Sequence, residues 1–70
     1  MDMIGIGKRI KEIRIEHGLS QQKFGKMLSV SQDTVSLWEK GKSVPTTEFL
    51  VEISKKFEVS TDYILCLKEY

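Results

Sequence analysis

Few side chains in this 70-residue sequence could carry covalent or metal chemistry, and their spacing decides against them. His17 is the only histidine and Cys66 the only cysteine. A metal cluster of the usual ligand spacing has no second His or Cys to use, and an internal disulfide is impossible. Gly41, Lys42 and Ser43 imitate the end of a phosphate-binding P-loop. That motif also needs a glycine at position 36 and a helix starting at once, whereas this chain has Ser36 and then Val44 and Pro45. What remains is a short loop presenting Lys42 and backbone N–H groups, which suits contact with a phosphate. Gly5 and Gly7 resemble a nucleotide-binding turn, but Ile10 stands where the third glycine belongs. They read instead as a permissive helix start. The serine, aspartate and histidine residues form no catalytic constellation, so neither an enzyme, a cofactor nor a metal is expected.

The elements that must position the remaining polar groups centre on Leu19 to Gly41, LSQQKFGKMLSVSQDTVSLWEKG. Ser20 followed by Gln21 and Gln22 reads as a helix start, because an N-cap serine oxygen accepts from a backbone N–H two or three residues on. Ser31 followed by Gln32 and Asp33 repeats the signal. Phe24, Met27 and Leu28 fall on one face of the first segment, and Val35 and Trp38 on one face of the second. Two short helices joined by a tight turn follow. Trp38 could serve as a stacking platform for a single strand, but its place on the Val35 face makes it a core residue.

On either side lie three more helices. Ile6, Ile10 and Ile13 make an amphipathic helix from about Ile4 to Glu16, with Lys8, Lys11 and Glu12 outside. His17 suits the negative end of its dipole, and Gly18 can take the left-handed cap. Gly41 stops the third helix and Pro45 prevents an early restart. Thr46 or Thr47 caps the fourth helix, Glu48 sits in its first turn, and Leu50, Ile53 and Phe57 form its buried stripe. Ser60 caps a fifth helix through about Leu67. Ile64, Leu65, Leu67 and Tyr70 then leave more apolar surface than one short helix buries, which a dimer contact or truncation from a longer chain would explain.

Seventy residues make one domain, and such a chain buries only roughly 60% of its unfolded surface. At 40% hydrophobic and 30% charged residues it has a globular composition. The lone cysteine, with no long apolar run or cleavable leader, points to the cytoplasm and to no membrane association. Net charge is only +1. Its distribution is uneven: Lys23, Lys26, Lys40 and Lys42 oppose only Asp33 and Glu39 in residues 20–43, whereas residues 44–70 are net acidic.

The central run resembles the helix-turn-helix of the phage-repressor and Cro family, also called lambda-repressor-like or XRE. The matching residues are Leu19, Ser20, Gln21, Phe24, Gly25, Leu28, Ser29, Val30, Ser31, Val35, Trp38, Glu39 and Gly41. Ile10, Arg14, Pro45, Leu50, Val59, Ser60, Asp62 and Tyr63 extend the match over nearly the whole chain. Two positions depart from the pattern. Ser29 stands where the family places a turn glycine, at some cost in strain if φ is positive, and Gly25 stands where it prefers alanine.

The resemblance implies an all-α, compact five-helix lambda-repressor-like domain over residues 1–70, with the helix-turn-helix at about 20–40. It implies a sequence-specific regulator of transcription that binds double-stranded DNA, a repressor, acting as a homodimer on a palindromic operator. The helix 32–39 would enter the major groove and place Gln32, Asp33, Ser36 and Leu37 against base edges. Gln32 suits adenine, and Leu37 could pack on a thymine methyl. Asp33 could accept from cytosine N4 or only complement the helix dipole. Phosphate contacts would fall to Gln21, Ser31, Lys40, Lys42 and Ser43. Arg14 and Glu39 map onto a partly buried ion pair. The surplus apolar residues Ile64, Leu65, Leu67 and Tyr70, read from the sequence itself, are the expected dimer contact. An antitoxin that represses its own operon would look alike. The competing class is a protein-interaction module that keeps the fold without binding DNA.

Overall fold

A computed structural model describes residues 1–70 as five helices and no strand. They are α1 (Met3–Glu16), α2 (Gln21–Leu28), α3 (Gln32–Glu39), α4 (Thr47–Phe57) and α5 (Thr61–Ile64). The helix starts follow local chemistry. The side chains of Asp2, Ser20, Ser31 and Ser60 accept from the backbone N–H groups of Gly5, Lys23, Thr34 and Tyr63, satisfying donors that the first helical turn cannot. Thr46 has the extended backbone of an N-cap at α4, but its hydroxyl accepts no capping bond.

Every helix ends on a left-handed residue: Gly18, Ser29, Gly41, Glu58 and Cys66, with φ between 55° and 74°. The amide after each bonds back five residues, as Val30 N–H does to Gly25 O and Leu67 N–H to Asp62 O, the long bond of a Schellman motif. This stops α5 at Ile64, three residues short of the expected Leu67. Cys66 takes the left-handed position, and Arg9 on α1 holds the resulting turn by donating to Tyr63 O at 2.8 Å and Lys68 O at 2.9 Å.

The core joins Ile6, Ile10 and Ile13 with Phe24, Leu28, Val35, Trp38, Ile53, Phe57 and Ile64. Phe24 stacks on Phe57 with ring centroids 5.2 Å apart. Met27, expected beside Phe24 and Leu28, is instead exposed, and Leu50 is only half-buried. Gly7 is more than a permissive helix start. A Cβ there would lie 2.3 Å from the Trp38 carbonyl oxygen, so its hydrogen lets α1 approach the end of α3. Gly25 does the same for α2, where a Cβ would meet Val30 O at 2.7 Å.

Candidate nucleic-acid interface

The chain passes from α2 to α3 through Ser29, Val30 and Ser31. Ser29 has φ 60° and ψ 37°, so the turn takes the left-handed conformation without glycine. Val35 and Trp38 anchor α3 to the core. The opposite face of this helix is therefore turned outward, and it carries Gln32, Asp33 and Leu37 exposed, with Ser36 half-buried beside them. Ser31 is committed to the cap: its Oγ accepts from Thr34 N–H at 3.1 Å and shares a 3.0 Å hydrogen bond with Thr34 Oγ1.

Lys40 and Lys42 follow with exposed side chains, and Ser43 is half-buried. The free backbone N–H groups expected in this loop are absent. Lys40, Gly41, Lys42 and Ser43 donate to Ser36 O, Trp38 O, Leu37 O and Leu37 O respectively, because the helix-ending turn consumes them. What the loop presents is the ammonium groups alone.

Arg14 and Glu39 meet as a forked pair. Arg14 Nε donates to Glu39 Oε2 at 2.6 Å and Nη2 to Oε1 at 3.0 Å, with side-chain exposures of 13% and 5%. The bond to Glu39 raises the Arg14 pKa above its usual value against the lowering effect of burial. The carboxylate thereby drops out of the surface charge. Among residues 20–43 this leaves Asp33 as the only exposed acid against the exposed Lys23, Lys26, Lys40 and Lys42, so the exposed charges of this segment are more basic than the +1 net charge of the chain suggests.

Gln21, the first residue of α2, is half-buried, and its Nε2 donates to Glu39 Oε1 at 3.2 Å. That link has no sequence signal, since 18 residues separate its ends. The expected dimer surface changes. Ile64 is fully buried in the core of its own chain because it packs under the other helices, so it is unavailable to a partner. Leu65 is half-buried, while Leu67 and Tyr70 are exposed.

Two capped helices joined by a left-handed turn, the second anchored by one face and open on the other, define a helix-turn-helix module. The chain belongs to the helix-turn-helix family, whose model matches residues 10–64. It is 34% identical over 62 residues to the HTH-type transcriptional regulator ImmR of Bacillus subtilis, covering 89% of this chain and 49% of that protein. Antitoxin PezA of Streptococcus pneumoniae is 40% identical over 55 residues, covering 79% of this chain and 35% of that protein. The chain thus spans half the length or less of these two relatives. A crystal structure of the P22 c2 repressor in complex with a synthetic operator superposes with a TM-score of 0.79 at 36% identity, covering 84% of this chain and 89% of that one.

Proposed function

We propose that residues 1–70 form a single DNA-binding domain of a transcriptional repressor that reads operator DNA with α3 in the major groove. The observation that carries this reading is the outer face of α3, where Gln32, Asp33 and Leu37 are exposed and the flanking Lys40 and Lys42 are exposed too. A major groove accepts a helix presented this way, amide and apolar groups discriminate base edges, and ammonium groups hold the backbone. The likeness to a repressor solved with its operator supports it.

In this reading Gln32, Asp33, Ser36 and Leu37 face bases. Lys40 and Lys42 pair with phosphates, while Gln21 and the start of α2 meet another, with Ser31 and Ser43 beside the backbone. The protein works in the cytoplasm as a homodimer on a palindromic site, its two reading helices about 34 to 36 Å apart, the spacing of successive major grooves. Leu65, Leu67 and Tyr70 remain as the apolar groups offered to that contact.

Mobility shifts on random duplex at low and moderate salt, followed by selection of bound sites from a random pool, test this. Retardation that weakens steeply with salt and a recovered palindrome are expected. No retardation at low salt would refute DNA binding and leave a protein-interaction module. Binding of one chain per complete site would refute the dimer.

A further inference from the structure

The turn after α5 is held from outside itself. With four residues, α5 is too short to persist on its own backbone bonds. The chain then bends left-handed at Cys66, with φ 63°. Past the bend the Leu67 and Lys68 N–H groups share one acceptor, Asp62 O, at 2.8 and 3.3 Å, and Ser60 Oγ donates to Tyr70 O at 3.0 Å. The clamp comes from α1. Arg9 Nη1 donates to Tyr63 O at 2.8 Å, inside α5, and to Lys68 O at 2.9 Å, beyond the bend. The guanidinium lies 4.2 Å over the Tyr63 ring, whose hydroxyl donates to Glu12 on α1 at 3.3 Å. One half-buried cation thus fixes both sides of the bend, and the bend turns apolar groups outward: Leu67 and Tyr70 are 71% and 81% exposed, and Leu65 is half-buried. Met1 adjoins them, since Met1, Asp2, Leu65, Cys66 and Leu67 line one cleft of about 320 Å³.

Two observations bear on what covers this face. Residues 44–70 are net acidic, and the Lys68 ammonium already lies 3.9 Å from Asp62, so the face repels a polyanion and does not suit nucleic acid. The reading helix α3 has eight residues, about 12 Å of helix, and so spans about three to four base pairs. A sequence that short is too common in a genome to specify an operator. A specific site therefore requires a second α3, which a second copy of the chain supplies.

We propose that Arg9 is a positioning residue for self-association: by clamping Tyr63 O and Lys68 O it holds residues 65–70 in the bent conformation that presents Leu65, Leu67 and Tyr70 to a second copy of the chain. This role rests on the homodimer reading above. A surface ordered in advance spares association the cost of ordering it. In a two-fold pair that saving is made in both chains.

The test titrates the full chain on two duplexes, the palindrome that the wild-type protein selects from a random pool and a half-site carrying one of its arms. Arg9→Met removes the clamp and keeps an aliphatic stem beside the Tyr63 ring. Each chain then loses about a factor of ten, the worth of one hydrogen bond to a charged group. The coupling between two bound chains falls about a hundredfold, and the midpoint on the palindrome, which varies as its square root, rises about tenfold. Lys8→Met is the control for lost charge, since Lys8 is an exposed cation of the same helix outside the clamp. On the half-site Arg9→Met should bind no more weakly than Lys8→Met. Native hydrogen exchange at the Leu67 and Lys68 amides should quicken in Arg9→Met, with core amides unchanged. Leu67→Ser should raise the palindrome midpoint while those amides stay protected, and adding it to Arg9→Met should cost less than it costs the wild-type chain; a residue that merely supports the fold would give additive losses. A palindrome midpoint no higher than that of Lys8→Met, equal losses on palindrome and half-site, or unchanged exchange at Leu67 and Lys68 overturns the proposal. If Arg9→Met does not fold by circular dichroism, Arg9→Lys supplies the same comparison, because it keeps the charge but not the planar group stacked on Tyr63. One wild-type chain per palindrome at saturation would instead refute the homodimer reading, and this proposal with it.

Discussion

Replacing Glu39 by glutamine removes one charge from a pair that is almost out of water, with side-chain exposures of 13% for Arg14 and 5% for Glu39. The guanidinium stays behind with its Nη1 still on Leu19 O, but its strongest acceptor, the oxygen 2.6 Å from Nε, loses its charge. Breaking a buried pair in this way costs about 3 to 5 kcal/mol, chiefly because the remaining charge is buried uncompensated. A domain of 70 residues has only about 3.5 to 10 kcal/mol of stability to lose. Each kcal/mol moves the melting temperature of so small a domain by about 4 to 8 °C, so Glu39→Gln should lower it by about 12 °C or more. Glu12→Gln is the control. Glu12 accepts an exposed hydrogen bond from Tyr63 Oη at 3.3 Å, and loss of an exposed contact costs about 0 to 1 kcal/mol. Arg14→Met/Glu39→Met should recover most of the loss, since no unpaired charge remains. Thermal unfolding followed by circular dichroism compares all three. A fall for Glu39→Gln no larger than that for Glu12→Gln would refute the argument, showing that water reaches the pair well enough to solvate either partner alone.

Three further outcomes follow from other parts of the molecule. Gln32→Ala should cost about 1 to 3 kcal/mol on the selected site and little on random DNA, whereas Lys42→Ala should weaken both and reduce the salt slope by about one unit per chain; equal losses on both DNAs for Gln32→Ala would remove it from the base-reading face. Gly7→Ala should lower the melting temperature although alanine is the better helix former by about 1 kcal/mol, because its Cβ would lie 2.3 Å from Trp38 O, while Ser29→Gly should raise it by relieving a φ of 60°. Burial first, and then the charge of Glu12, push the Tyr63 phenol above its ordinary value of 10.0. The folded chain therefore holds that proton longer than the unfolded one, so stability falls as pH rises from about 10 through the folded pKa. Tyr63→Phe should flatten this alkaline loss in urea unfolding, and an unchanged slope would refute it.

What could be read from the sequence divides along a physical line. A helix start is local chemistry: Ser20, Ser31 and Ser60 each act on an amide three residues away, so their roles are visible in a short window. Helix ends are local only where glycine marks them. Gly18 and Gly41 do, but Ser29, Glu58 and Cys66 adopt the same left-handed turn with side chains that do not announce it. For α5 the apolar pattern therefore predicts a helix through Leu67, three residues beyond its end at Ile64. Its end is held from α1, by an Arg9 guanidinium that takes Tyr63 O and Lys68 O across 54 and 59 residues and lies 4.2 Å over the Tyr63 ring. The misplacement of Ile64 on the outer surface follows from that overrun. A helix continued to Leu67 would carry its apolar residues round two faces, whereas a single turn ending at Ile64 points that side chain wholly into the core.

The candidate site divides in the same way. The exposed face of α3 follows from the burial of Val35 and Trp38 and needs nothing beyond helical periodicity. The fate of Glu39 depends on Arg14, 25 residues away, and that of Gln21 depends on both. Periodicity counts Glu39 as a surface acid that weakens the basic character of residues 20–43. Pairing takes it out of that sum, and the exposed side chains of residues 20–43 are then net basic while the overall charge of the chain stays close to neutral. A domain can in this way confine its attraction for a polyanion to one face without the general basicity that would bind any nucleic acid indiscriminately.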